Sequence, residues 1–89
     1  MITKELKILN NLGLHARAAA KVVSTANKFK SEIIFVKDDK NADARSIMKL
    51  LMLSASKGSC ISVKIDGIDQ NDAMSSIEKL FENKFDEEK

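Results

Sequence analysis

Strands with a single apolar side constrain this chain more than any other feature of its sequence. The segment CISVKID at residues 60–66 alternates Ile61, Val63 and Ile65 with polar residues, which is the period-2 pattern of a strand that buries one face. A sheet built from such strands needs helices on its apolar side only, while its polar side stays in water. Similar strands are predicted around Leu6 and Ile8, over Ser31–Lys37 and, after the polar turn KDDKN, near Asn41–Ala44.

Helix signals lie between these strands. An alanine-rich stretch from about Ala16 to Asn27 has apolar residues at helical spacing. Ser46 stands directly before the apolar segment IMKLLML, where a helix N-cap is expected. Asp69 can cap a third helix, which is predicted to run to about Lys84, and the acidic end DEEK is expected to fray.

The order of these elements, β-α-β-β-α-β-α, indicates the fold class. We predict one α+β domain over residues 1–89, an open-faced β-sandwich in which three helices cover one face of a four-stranded antiparallel sheet. A chain of 89 residues has no room for a second core. The fold alone indicates no function.

The composition narrows the class of protein. A net charge of +2, with both signs scattered along the chain, forms no polybasic patch for nucleic acid or a membrane surface. The absence of Trp and Tyr argues against an RNA-binding α+β domain, which stacks bases on aromatic side chains. The single Cys60 fits a reducing compartment, and no stretch approaches the roughly 20 apolar residues of a membrane span. We expect a cytoplasmic protein that binds neither nucleic acid nor membrane.

The only histidine of the chain, His15, stands where the first helix is predicted to begin. The backbone amides of Ala16, Arg17 and Ala18 then have no partner within that helix, and the helix dipole adds positive charge around them. Arg17 also carries a planar guanidinium that suits phosphate oxygens. A phosphate or another anion is therefore the expected ligand at this helix start.

Two interpretations of His15 remain open on chemistry alone. It is either an ordinary exposed histidine at a helix start or a nucleophile for phosphoryl transfer, since the positive helix end favours the neutral ring that a nucleophile needs. No Asp or Glu lies within five residues of it to orient an attacking water, which favours transfer over hydrolysis. One histidine and one distant cysteine make no metal site, and no cofactor is expected.

The segment GLHAR, followed by the alanine-rich helix, resembles a phosphorylation-site signature. It is the signature of the histidine-containing phosphocarrier protein (HPr) family of the bacterial phosphoenolpyruvate-dependent sugar phosphotransferase system. A second segment, ARSIMKLLMLSASKG, is similar to that family's second phosphorylation region, and the likeness covers nearly the whole chain. The family's open-faced sandwich has the same order of elements as the one predicted above.

The resemblance implies a phosphoryl carrier rather than an enzyme. Such a protein accepts a phosphoryl group from enzyme I and passes it to an enzyme IIA domain. By position, His15 would form a phosphohistidine through its Nδ1 atom and Arg17 would stabilise the phosphate. Ser46 would match a serine that an ATP-dependent HPr serine kinase modifies in some bacteria.

The short helix after Ser46 offers a surface for partner proteins. Its apolar residues cannot all point inward, so some of them should be exposed. Ile47, Met48 and Leu51 are the candidates for docking, and Met48 is expected to be exposed because methionine adapts its shape to different partners. A monomer is expected.

Two residues depart from the family pattern. Ala18 stands where the family usually has proline, and Lys49 stands where glycine is common. Alanine at the first position is similar to some proteobacterial members, including nitrogen-related paralogues. The alternative to a sugar-transport carrier is therefore a regulatory paralogue whose phosphorylation state controls partner proteins.

Overall fold

A four-stranded antiparallel sheet forms the base of the fold in the computed structural model, which describes residues 1–87. Its strands follow the spatial order β1-β4-β2-β3. They are β1 (Ile2–Lys7), β2 (Glu32–Lys37), β3 (Lys40–Asp43) and β4 (Cys60–Asp66). The helices of this part of the chain are α1 (Ala16–Ala26), α2 (Ile47–Met52) and α3 (Gln70–Glu82), and a short 3-10 turn follows at Lys84–Asp86.

This architecture confirms the predicted open-faced sandwich and its order of elements. The boundaries differ from the sequence-based ones by one or two residues, because strand and helix ends depend on local hydrogen bonds. β3 begins one residue earlier than expected, α1 ends at Ala26 with Asn27 as its C-cap, and α3 ends at Glu82. Among residues 1–87, no helix has the length and apolar composition that crossing a bilayer requires.

The sheet buries one face, as the alternation in the sequence predicts. In the central strand β4, Ile61, Val63 and Ile65 are fully buried, while the residues between them belong to the outer face. Ile33 and Phe35 of β2 lie opposite Ile65 and Val63 and belong to the same core cluster. Cys60 is exposed at the start of β4.

The helices cover the apolar face through small and aromatic side chains. In α1 the buried residues include Ala19, Val22 and Ala26, and they belong to the same core cluster as the buried residues of the sheet. Phe81 of α3 contacts both the sheet and the turn that follows α3, since its ring centroid lies 5.8 Å from that of Phe35 and 5.0 Å from that of Phe85. Tilted aromatic pairs at these separations are favourable.

Arg45 joins the start of α2 to the end of α1. Its Nη2 atom donates to the backbone carbonyls of Ala26 at 2.8 Å, Phe29 at 2.7 Å and Ser31 at 3.1 Å. These carbonyls lie at and just beyond the C-terminal end of α1, where backbone acceptors lack helical partners. The N-terminal end of α2 is therefore held beside the C-terminal end of α1.

Asp69 precedes α3 but does not cap it with its side chain. Its carboxylate instead accepts hydrogen bonds from the Ser31 hydroxyl at 2.5 Å and from the amides of Lys30 at 2.8 Å and Ser31 at 2.9 Å. These bonds, the Ser31 hydroxyl foremost, lower the pKa of Asp69 below its ordinary value. Asp69, predicted to cap α3, instead connects the β4–α3 turn to the start of β2 through these hydrogen bonds.

The expectation that the acidic end frays is wrong for Asp86 and Glu87, while Glu88 and Lys89 lie outside the described residues. Lys84, Phe85 and Asp86 have φ angles of 56°, 54° and 58°, so the chain makes a left-handed turn without glycine. Phe85 is buried in the core at this turn. Its burial, which contributes about 1.5–3 kcal/mol, offsets part of an unfavourable backbone conformation that costs about 1–2 kcal/mol per residue.

Gly13 must be a glycine for two reasons, and the chain offers a matched control. Its φ is +69°, and a Cβ there would overlap the carbonyl oxygen of Ala55. Gly58 has a φ of +90° but open space around the same position. Gly13→Ala should lower the free energy of unfolding by about 2 kcal/mol or more, and Gly58→Ala by about 1 kcal/mol.

Urea unfolding followed by circular dichroism measures both losses. Equal losses in the two variants would show that the close contact between Gly13 and Ala55 does not constrain the loop.

Candidate functional site

His15 is the N-cap residue of α1. Its backbone is extended, with φ −81° and ψ −179°, and its carbonyl accepts the first helical hydrogen bond from the amide of Ala19 at 2.8 Å. Its side chain makes no capping hydrogen bond, so the imidazole is not engaged in holding the helix. The side chain is 26% exposed, which places the ring at the surface with one side covered.

The first-turn amides of α1 lie next to this ring. Within residues 1–87, the amides of Ala16, Arg17 and Ala18 donate no hydrogen bond. Ala16 and Arg17 are exposed, whereas Ala18 is fully buried. Two of the three predicted anion-binding amides are therefore at the surface, where the helix dipole also favours an anion.

Arg17 adds an exposed cation to this helix start. Its guanidinium forms no ion pair and no hydrogen bond with any residue between 1 and 87. No acidic residue occupies the first turn of α1 either. The guanidinium is thus available to an anion that arrives from outside.

Glu87 is the site residue that the sequence interpretation missed. Its Oε1 atom lies 3.6 Å from the Nε2 atom of His15, and its side chain is only 11% exposed. No carboxylate lies near His15 along the chain, but the fold brings the carboxylate of Glu87 close to its ring. The carboxylate faces Nε2, which is buried, so it does not lie beside an open position for water.

The loop before α1 holds this carboxylate in place. Oε1 accepts from the Asn10 side-chain amide at 2.7 Å and from the Leu12 amide at 3.3 Å, and Oε2 accepts from the Asn11 amide at 3.1 Å. These bonds, with that of Asn10 first, lower the pKa of Glu87 below its ordinary value, and His15 adds to the effect. Glu87 is therefore an ionised carboxylate at neutral pH.

No feature of the neighbouring sequence predicts the contact between Glu87 and the loop before α1. Asn10 and Glu87 are 77 positions apart, and the connecting turn at Lys84–Asp86 contains no glycine that would signal a left-handed backbone. Phe85 is the one available signal, because an aromatic residue in an acidic terminal segment indicates that the segment packs against the core.

Ser46 opens α2, as the sequence predicts. Its Oγ atom accepts a hydrogen bond from the Lys49 amide at 3.3 Å, which is the geometry of an N-cap. Leu14 near the start of α1 donates its amide to the Ala55 carbonyl at 2.8 Å, just beyond the C-terminal end of α2. Because Arg45 lies at the other end of α1, the two helices run in opposite directions. Ser46 and His15 therefore lie at opposite ends of this helix pair.

The predicted docking residues are not equally exposed. Met48 is 70% exposed and Ile47 is 39% exposed, whereas Leu51 packs against the core as a partly buried residue. Two residues that the sequence interpretation did not choose, Leu12 and Met52, are nearly as exposed as Met48. They lie in the loop before His15 and at the C-terminal end of α2, the end nearer to His15.

Comparisons with known proteins agree with the family resemblance. The family model for the PTS HPr component phosphorylation site matches residues 2–83. The chain is 46% identical over 88 residues to a phosphocarrier protein HPr of Xylella fastidiosa, with 99% of each chain covered. It is also similar to the solved structure of HPr-C-His from Thermoanaerobacter tengcongensis, with a TM-score of 0.93, 40% identity and 100% of both chains covered.

A second solved structure shows the same fold in a dimer. An HPr dimer from Thermoanaerobacter tengcongensis gives a TM-score of 0.78 at 41% identity, over 92% of this chain and 94% of that one. The fold, the family match over residues 2–83 and these similarities together show that the chain belongs to the HPr family of phosphotransferase-system phosphocarriers.

Proposed function

We propose that the chain carries a phosphoryl group on His15, which it accepts from enzyme I and passes to an enzyme IIA domain in the cytoplasm. The observation that carries this proposal is the start of α1, where an imidazole stands beside exposed amides and a guanidinium that have no partner within residues 1–87. A site with unused donors and a nucleophile suits a phosphoryl group better than a neutral ligand.

The transfer uses the ring nitrogen that the protein leaves accessible. Nε2 is buried, so Nδ1 is the atom that attacks phosphorus. Its lone pair forms the P–N bond while the bond between phosphorus and the donor breaks, and that electron pair returns to the donor. The amides of Ala16 and Arg17 and the Arg17 guanidinium then stabilise the phosphoryl oxygens. The reverse sequence delivers the group to enzyme IIA, so the chain acts as a carrier and requires no cofactor.

Partner proteins would dock on exposed apolar residues of the loop before His15 and of α2. Leu12, Ile47, Met48 and Met52 are four of the seven large apolar side chains exposed among residues 1–87. Methionine adapts its shape, which suits a surface that meets a donor and an acceptor in turn. The nucleophile and this surface belong to one chain, so we expect the monomer to be the working unit.

Ser46 is the proposed regulatory phosphorylation site. Its side chain is partly exposed at the start of α2, directly before Ile47 and Met48. A phosphoryl group there would add close to two negative charges beside the proposed docking surface, and burying these charges against an apolar partner surface would weaken docking through their desolvation cost. An HPr serine kinase is the enzyme that the family resemblance implies for this step.

His15 and Arg17 should have separable roles. His15→Ala should abolish labelling from phosphoenolpyruvate and enzyme I, because no other nucleophile stands at the helix start. Arg17→Ala should slow transfer by roughly ten- to a hundred-fold, since a hydrogen bond to a charged group contributes about 1.5–3 kcal/mol. Arg17→Lys should recover part of the rate, because it keeps the charge without the planar fork.

The measurement is the stoichiometry and rate of phosphorylation, with Lys28→Ala as the control. Lys28 is an exposed cation beyond the other end of α1, so its loss should leave the rate unchanged. The label should reach one phosphate per chain, resist base, be lost in acid and pass to enzyme IIA. Undiminished labelling of His15→Ala would refute the proposal, and labelling without onward transfer would favour the regulatory paralogue.

A charge at Met48 should weaken partner docking. Met48→Asp should raise the KM for phosphorylation by enzyme I about tenfold, because a carboxylate would be buried against an apolar partner surface. Ile68→Asp is the matched control. Ile68 is 91% exposed, and it follows the end of β4 that lies farthest from the loop before His15.

Steady-state phosphorylation assays with both variants give the comparison. Equal KM values for Met48→Asp and Ile68→Asp would place the docking surface elsewhere.

A further inference from the structure

We propose that Glu87 is a positioning residue for His15. Its carboxylate holds the proton of the neutral ring on Nε2, which leaves the lone pair on Nδ1, and it offsets the positive charge that the ring gains when Nδ1 takes a phosphoryl group. The first part rests on geometry alone, and the second part rests on the proposed function.

The carboxylate is fixed before it meets the ring. Asn10 and the amides of Asn11 and Leu12 occupy both of its oxygens from one side, and the remaining side of Oε1 faces Nε2 at 3.6 Å. A hydrogen bond to nitrogen has a length of about 2.7–3.2 Å, so a movement of less than about 1 Å completes the contact.

The ring nitrogen lacks any other partner. Nε2 is buried and makes no hydrogen bond within residues 1–87. A lone pair at this position would face a carboxylate with a lowered pKa and be repelled by it, whereas an N–H would be attracted. The Nε2–H tautomer is therefore the stable neutral form, because the bond made by one ring nitrogen decides what the other one carries.

The turn that places the Glu87 carboxylate beside the ring has an unfavourable backbone conformation. Lys84, Phe85 and Asp86 all have positive φ angles, and none of them is glycine. Phe85 anchors the turn against Phe81, and Asp86 pairs with Lys21 at 3.3 Å. Strained backbone held by packing on both sides is characteristic of functional sites, and here it ends at the residue that faces the nucleophile.

Glu87 keeps its charge through the transfer. When Nδ1 donates its lone pair to phosphorus, the ring becomes a cation that retains its Nε2 proton, and the carboxylate lies opposite that charge. When the phosphoryl group leaves, the P–N electron pair returns to Nδ1 and the ring is neutral again. The carboxylate neither gains nor loses a proton, and in this respect it resembles the aspartate that orients the histidine of a serine protease triad and is not itself protonated.

The tautomer of the unphosphorylated protein tests the positioning role directly. In ¹⁵N NMR spectra recorded at a pH at which the ring is neutral, the wild-type protein should show the Nε2–H form. Glu87→Gln should shift the population toward Nδ1–H, because its amide can donate to Nε2. Glu82→Gln is the matched control, since it makes the same substitution at an exposed glutamate at the end of α3 that forms no ion pair within residues 1–87, and it should leave the tautomer unchanged.

The rate of phosphorylation by enzyme I tests the second part. Glu87→Gln should be about tenfold slower or more, Glu87→Asp should recover part of that loss, and Glu82→Gln should stay within about twofold of the wild type. Amide spectra check that the variants are folded, and Glu87→Ala, which removes the carboxylate altogether, serves for the tautomer measurement if Glu87→Gln does not fold.

An unchanged tautomer in the Glu87 variant would overturn the positioning role, and a changed tautomer with an unchanged rate would overturn the part that concerns transfer. Failure of the wild-type protein to take up phosphate would instead refute the proposed function. The tautomer measurement needs no phosphate, so it decides the positioning role in that case too.

Discussion

The backbone contact between Gly13–Leu14 and Ala55 decides where α1 begins. Leu14 donates its amide to the Ala55 carbonyl, and Gly13 has no side chain that would prevent this approach. Ile8 continues the contact upstream, since its amide and carbonyl bond to Ser59 and Gly58 at 2.8 Å each. The loop before His15 is therefore held by backbone hydrogen bonds along much of its length. A side chain placed directly after such a loop projects from a defined backbone position.

The fold could be predicted where burial imposes a period on the sequence. In β4 every second residue from Ile61 to Ile65 must be apolar, and in α1 the small buried residues recur at helical spacing, so both elements were found with nearly correct boundaries. Arg45 and Glu87 could not be found in this way. Their partners lie in other elements, and a charged residue that bonds to backbone groups leaves no period in its own segment. The same limit explains Asp69, whose position suggests a cap but whose partners belong to the start of β2.

The candidate site combines hydrogen-bond donors that have no partner within residues 1–87 with a ring whose Nε2 atom faces Glu87. The exposed amides of α1 and the Arg17 guanidinium face outward without internal partners in the described chain, so binding an anion displaces water and no protein contact. Glu87, by contrast, accepts hydrogen bonds from the loop and lies 3.6 Å from the Nε2 atom of the ring. Within residues 1–87 the Arg17 guanidinium forms no ion pair with this carboxylate, so neither group neutralises the other. Donors that are already oriented need no reorganisation when charge develops beside them.

The sheet order has a consequence for the sequence of events in folding. The hairpin of β2 and β3 is closed by a two-residue turn, whereas β1 is an edge strand that pairs only with β4, more than fifty residues later. The contact between Asn10 and Glu87 closes a loop of 77 positions. Long loops lose more entropy when they close, so we expect the hairpin to form before β1 pairs and the contact of the terminal turn to form late. In native-state hydrogen exchange the surroundings of His15 should be among the first regions to open while β2 and β4 stay protected.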